Sequence, residues 1–210
     1  MKKTVITLAV VAFAAAAVQA TTTSANIVGY TKITATGGEL SLVALNFTPG
    51  STLVSDIIGD QLPSGSALHI WDKVNQTYNT VTKTSRGGWG NTATIDLGNA
   101  FWIQASGTDT HEIILPGEVK TDALSTTIAG GIEATGYNYP VSTTFGSTDL
   151  SSSLDAGSAV HFWNGSSYTT YTKTSRGGWG TDGNAQVIEP TTGFWVQSAS
   201  EVSWSESVPF

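Results

Sequence analysis

Residues 82–90 read Thr-Lys-Thr-Ser-Arg-Gly-Gly-Trp-Gly, and residues 172–180 read the same nine letters. A block that long, repeated without a change, means that the chain is two copies of one unit, so its fold must be one that can be built twice. The copies align around the block. His69-Ile70-Trp71 matches His161-Phe162-Trp163 at an offset of 92, the block has an offset of 90, and Phe101-Trp102-Ile103-Gln104 matches Phe194-Trp195-Val196-Gln197 at an offset of 93. The shifts in offset locate loops. Copy one has two extra residues between Trp71 and Tyr78, where copy two has Asn164-Gly165, a dipeptide that predicts a two-residue hairpin. Copy two has three extra residues between Gly180 and Phe194, which predicts a loop there as well. Over 46–72 paired with 138–164, only nine of 27 positions agree, so the identity is confined to the block. A ligand-contacting loop used twice would explain that, and so would a backbone geometry that only these residues satisfy, or a gene-conversion patch. Gly87, Gly88 and Gly90 can take positive φ at little cost, and Arg86 could lie over the Trp89 ring.

The chain opens with Lys2-Lys3, an apolar run over 4–18, and Val18-Gln19-Ala20. That pattern reads as a secretory signal peptide over 1–20, too short an apolar run to predict a membrane span and leaving none after cleavage. The rest of the chain divides into a β module over 21–117, a short linker over 118–122 and a second β module over 123–210, each large enough for its own core. There is no Cys, hence no disulfide and no thiol chemistry. Without Lys2 and Lys3, seven basic residues face 16 acidic ones, a net charge of −9 with neutral His. The basic residues form no cluster, which argues against nucleic acid and anionic membrane surfaces as partners. An exported location is expected, either extracellular, on the cell surface or periplasmic.

Short segments rich in Val, Ile, Thr and aromatics, separated by turn residues, predict strands at 25–33, 40–47, 67–71, 77–83, 99–105 and 111–115 in copy one, and at 159–163, 167–173, 193–198 and 202–205 in copy two. One helix-like segment, 51–58, has Ser51 or Thr52 as its cap and Gly59 as its stop; its partner over 143–150 is weakened by Gly146. The expected fold is all-β: two tandem antiparallel β-sandwich or small barrel modules, each with at most one short helix.

Three short motifs, the opening Asn26-Ile27-Val28-Gly29-Tyr30, the hairpins Trp71-Asp72 and Trp163-Asn164-Gly165, and the late strand Gly193-Phe194-Trp195-Val196-Gln197, carry a further likeness. In these the chain resembles a loosely defined group of exported bacterial tandem β-repeat modules with no agreed activity; copy one departs from it with Ala100 in place of the Gly. The resemblance implies exported β repeats and no specific chemistry.

Strand periodicity places His69 and Trp71 on one face, opposite Leu68 and Ile70, and Trp102 and Gln104 on one face, opposite Phe101 and Ile103. His161 and Trp163, and Trp195 and Gln197, repeat this. Adjacent strands would then present His, two Trp and Gln together, a surface suited to the apolar faces and hydroxyl edges of sugars. Arg86 with Trp89 and Arg176 with Trp179 could join it. The alternative is a core in which Gln and His satisfy buried indoles. Binding requires Trp71 with Trp102, or Trp163 with Trp195, open on one face; a structural role requires them buried.

Catalysis has little support. No Gly-x-Ser-x-Gly elbow occurs, Asp72 is replaced by Asn164 in copy two, and no acidic pair is repeated. Thr181-Asp182-Gly183-Asn184 reads as a turn rather than a calcium loop, and neither a metal nor another cofactor is expected. The leading expectation is a non-enzymatic, secreted or surface-associated structural or adhesive protein. A carbohydrate-binding protein using the Trp, His and Gln faces is the alternative; a glycan-active enzyme and an outer-membrane barrel rank below it. An extracellular glycan and self-assembly through edge strands are the expected kinds of partner.

Overall fold

The computed structural model describes residues 27–90, 92–176 and 178–210; the expected signal peptide and the polar leader after it lie outside the described residues. In chain order the first copy contains β1 (Val28–Thr36), β2 (Leu40–Ala44), α1 (Val54–Ile57), β3 (Ala67–Asp72), β4 (Thr77–Thr82), β5 (Ala100–Gln104) and β6 (Thr110–Glu118). The second contains β7 (Leu124–Ile128), β8 (Gly131–Gly136), β9 (Thr143–Thr144), a 3-10 turn (Phe145–Ser147), α2 (Asp149–Ser153), β10 (Ala159–Trp163), β11 (Tyr168–Thr172), α3 (Gly180–Ala185), β12 (Val187–Ile188), β13 (Gly193–Ser198) and β14 (Val202–Glu206).

Both copies use one antiparallel plan. The first and last strands pair as a two-stranded ribbon, β1 with β6 and β7 with β14. The other four long strands form a sheet, in the order β2-β5-β3-β4 and again β8-β13-β10-β11. The fold is all-β and sandwich-like, because alternation gives ribbon and sheet one apolar face each and the two faces close on each other. In copy one Ile33, Ile113 and Leu115 of the ribbon meet Leu68, Val81, Phe101 and Ile103 of the sheet, with Val54, Ile57 and Ile58 packed into the same core. Copy two repeats this with Ile128, Val202 and Trp204 against Val160, Phe162, Phe194 and Val196. Each such apolar side chain contributes roughly 1.5–3 kcal/mol on burial.

The outward faces of the two four-stranded sheets are not left to solvent. They pack on each other through a third cluster in which Leu42, Ala44, Ala100 and Trp102 meet Ala134 and Trp195, flanked by Trp71, Ile132 and Trp163. The seam between them has a local two-fold character. The Ala44 N–H donates to the Thr191 carbonyl at 2.9 Å, and the Gly136 N–H donates to the Gly98 carbonyl at 3.0 Å; the alignment pairs 44 with 136 and 98 with 191. Backbones come this close only because the residues on one side are glycine. A Cβ on Gly136 would stand 2.2 Å from the Ala44 Cβ, and one on Gly193 would stand 3.0 Å from the Ala100 Cβ. The departure at Ala100 is thereby explained: of the aligned pair 100 and 193, which face each other here, one can be alanine if the other has no side chain.

The local structure departs from expectation in four places. The helix in the 51–58 segment is short, as expected, and Gly59 at φ 53° follows it, but α1 opens at Val54 after Leu53 with no side-chain cap, and not from Ser51 or Thr52. Its counterpart starts later: Phe145–Ser147 is a 3-10 turn, and α2 follows with the Thr148 hydroxyl accepting from the Ser151 N–H. The insertion before Phe194, expected as loop and turn, forms α3, so copy two has two short helices rather than at most one. The connection at Asn164-Gly165 spans four residues, since Trp163 pairs with Tyr168. There the Asn164 side-chain oxygen accepts from the N–H groups of Ser166 and Ser167, and Asp72 does the same for Val74 and Asn75 in copy one. The two residues are interchangeable because the turn needs only an acceptor. Those donors hold the Asp72 carboxyl below its usual range, the Asn75 N–H most of all.

Candidate binding site at the aromatic seam

The strand faces read from the sequence are present, and hydrogen-bonded strands bring them together. His69 lies opposite Trp102 across β3 and β5, and His161 lies opposite Trp195 across β10 and β13. Both faces, however, point into the seam. Trp102 and Trp195 are 6% and 4% exposed, and Trp71 and Trp163 are half-buried. Neither Trp pair forms the open platform that the carbohydrate-binding expectation required.

The hydrogen bonds show what the indoles do. Trp71 Nε1–H donates to the Ile132 carbonyl at 2.8 Å, and Trp163 Nε1–H donates to the Leu40 carbonyl at 3.1 Å, so each copy sends one Trp to the edge strand of the other. Trp102 and Trp195 donate to the hydroxyls of Tyr78 and Tyr168, both at 3.1 Å. Edge-to-face contacts close the cluster: Trp71 to Trp195 at 5.2 Å and Trp102 to Trp163 at 5.3 Å, the arrangement the ring quadrupoles favour. A cross-seam ion pair, Lys73 Nζ to Glu133 Oε1 at 3.0 Å, adds to it.

At the mouth of the seam this packing leaves two hollows related by the same two-fold character. One, of about 480 Å³, is lined by Trp71, Tyr78, His161, Tyr168, Trp195 and Gln197. The other, of about 360 Å³, is lined by His69, Tyr78, Trp102, Gln104, Trp163 and Tyr168. They share both tyrosines and, among the described residues, have no charged lining residue. In each, the His Nδ1 is held by a threonine hydroxyl of the neighbouring strand, Thr80 at 2.9 Å and Thr170 at 2.8 Å. Burial pushes the Tyr78 and Tyr168 hydroxyls up, and the indole N–H each accepts only partly offsets it, so both phenols keep their protons at neutral pH. Sequence reasoning missed these tyrosines. Their signal was available, since the alignment pairs 78 with 168 and strand alternation places each on the face of the neighbouring His.

The repeated block lies elsewhere. Trp89 Nε1–H donates to the Gly59 carbonyl at 3.0 Å, and Trp179, 6% exposed, donates to the Ser151 carbonyl at 2.8 Å. Lys83 reaches the Leu62 carbonyl at 2.8 Å, while Lys173 reaches the carbonyls of Ser151, Ser152 and Leu154 at 2.7–3.1 Å. In copy two these carbonyls belong to α2 and the residue after it, groups that a short helix leaves unpaired; in copy one they lie two and five residues past α1. Arg86 and Arg176 are exposed, with no hydrogen bond or ion pair among the described residues. Among the described residues the cation that stands over a Trp ring is Lys173, 5.8 Å from the Trp179 ring centre, and not an arginine. Arg86, Trp89, Arg176 and Trp179 do not join the seam residues.

A separate hollow of about 410 Å³ gathers Asp72, Lys73, Asp96 and Glu133, but its counterpart across the seam, lined by Lys32, Trp163 and Thr191, contains no acid. Among the described residues no three His, Cys, Asp or Glu side chains cluster to hold a metal, and no helix is long and apolar enough to cross a membrane. No family model matches the chain, and comparison with curated proteins and with solved structures finds no match.

Proposed function

We propose that the chain is an exported, non-enzymatic structural or adhesive protein in which two β repeats act as one stiff unit. The observation that carries this reading is the reciprocal exchange of Trp71 and Trp163. The largest side chains outside the sandwich cores are engaged in holding the copies together, as a stiff spacer needs and an open Trp binding platform does not. The outer surface supports the adhesive part. On the outside of the β1–β6 ribbon, Val28 and Tyr30 are 72% and 67% exposed beside Ile114 and Pro116, whereas the β7–β14 ribbon presents Ser125, Ser203 and Ser205. These exposed apolar groups, beside the Lys32–Glu112 ion pair, suit contact with another surface or another copy.

Expression of the full-length gene in a bacterium tests this. Protein accessible to external protease, together with increased attachment of the cells to one another or to a surface, is the expected result. Protein that stays in the cytoplasm, or that turns over a panel of chromogenic glycosides and esters, contradicts it.

A further inference from the structure

We infer that the two hollows at the mouth of the seam form one continuous site for a neutral oligosaccharide of at least two sugar rings, one ring per hollow. The inference does not depend on the structural role of the seam. It differs from an open Trp platform, because the groups that recognise the ligand are the rim residues Tyr78, Tyr168, His161, Gln197, His69 and Gln104, drawn from both copies.

Four observations carry it. First, the rim groups have hydrogen-bonding capacity that the protein does not use. Each tyrosine oxygen accepts an indole N–H, which leaves its own O–H free to donate outward. His161 is engaged only through Nδ1, and neither its Nε2 nor the exposed Gln197 amide has a hydrogen-bond partner among the described residues. On the other side His69 Nε2 and Gln104 Oε1 lie 3.4 Å apart, a weak contact that a ligand hydroxyl can replace. Second, the remaining lining is aromatic and aliphatic, matching the C–H faces of a pyranose between its hydroxyl edges. Third, neither hollow is lined by a charged side chain, although the protein is acidic overall, so the ligand is a neutral one and not a uronate or phosphate. Fourth, the same His, Gln, Trp and Tyr set occurs twice around shared tyrosines. Each hollow thereby offers one ring the same groups, and volumes of 480 and 360 Å³ lie within the ordinary range for small-ligand sites.

The test is calorimetric titration of the purified protein with cello-, manno- and chito-oligosaccharides of one to four rings, and with an oligogalacturonate as the charged control. The expected result is saturable binding of at least one neutral series, with two rings binding at least tenfold tighter than one and the oligogalacturonate not binding. Gln197→Ala should weaken the two-ring ligand about fivefold or more. Because Gln197 makes no side-chain hydrogen bond among the described residues, the variant's melting temperature should be unchanged, and loss of binding then reports contact rather than misfolding. Gln104→Ala should weaken the two-ring ligand by a similar factor, since it lines the other hollow. No binding by any neutral series at millimolar concentration overturns the inference. So does binding that ignores both substitutions, or a preference for the charged oligomer.

Discussion

Replacing Trp163 by alanine isolates what the seam contributes. A fully buried Trp covers roughly 150–250 Å², and Trp163 is half-buried, so about 100 Å² returns to water at a cost of about 2.5 kcal/mol. Its edge-to-face contacts with Trp102 at 5.3 Å and Tyr168 at 5.1 Å add about 0.5–1 kcal/mol each when lost. The bond to the Leu40 carbonyl adds less than about 1 kcal/mol, because Leu40 is 39% exposed and water can take the vacated site. The sum is about 3.5–5.5 kcal/mol, a large part of the roughly 5–15 kcal/mol that holds a typical domain folded. Urea unfolding followed by circular dichroism should show the midpoint falling by about 2 M for a slope of about 2 kcal/mol per M. Trp163→Phe keeps a ring and loses the N–H, so it should cost less than half as much. A Trp163→Ala midpoint within about 0.3 M of the parent would refute the reasoning, since Trp163 would then be an ornament on two sandwiches that hold themselves.

Other predictions test other parts of the account. Lys173→Met removes the donor for three carbonyls, two in α2 and one just after it, and should cost about 2–3 kcal/mol in urea unfolding, whereas Arg86→Ala in the other copy of the repeated block should cost less than about 0.5 kcal/mol. Thr191 stands at φ 71° where the aligned residue Gly98 stands at 78°, so Thr191→Gly should raise stability by about 1 kcal/mol and the melting temperature by about 2–4 °C. Glu206 accepts from the Trp204 indole and the Asp149 N–H, yet burial raises its pKa above the ordinary 4.5. A carboxyl with a raised folded pKa binds more protons folded than unfolded, so its effect is to lower stability as pH rises from about the ordinary value through the folded one. Glu206→Gln should flatten the stability profile in that window and leave it unchanged below; an unaltered profile would contradict the assignment.

Much of the fold was legible in the chain because period-two alternation is a local signal. The segments 159–163 and 193–198 match β10 and β13 to the residue, and the opposed faces of β3 and β5 follow from alternation alone. What occupies the second face was not legible. A row of His, Trp and Gln reads equally as a platform or a seam until the acceptor of each indole is known. For Trp71 and Trp163 those acceptors are the backbone carbonyls of Ile132 and Leu40, and a carbonyl leaves no mark in the sequence. One trace was visible without being interpretable: the Ala44/Gly136 and Ala100/Gly193 differences between copies record where two backbones meet. α3 was missed because Gly180, Thr181, Asp182, Gly183 and Asn184 are poor helix formers, and the segment is helical despite them. In the repeated block the glycines and the arginine drew attention, but Lys and Trp do the anchoring, through carbonyl partners again invisible to composition.

Acrylamide quenching of tryptophan fluorescence, read against the same protein in urea, tests the seam most directly. The chain's seven Trp include four that are buried, at 6%, 6%, 4% and 1% exposure for Trp102, Trp179, Trp195 and Trp204, and three that are half-buried. Weak quenching of the folded protein, rising several-fold on unfolding and rising in part in Trp163→Ala as the seam loosens, is the predicted result. Strong quenching of the native protein, unchanged by that substitution, would mean that the aromatic faces are open to solvent and that no seam joins the copies.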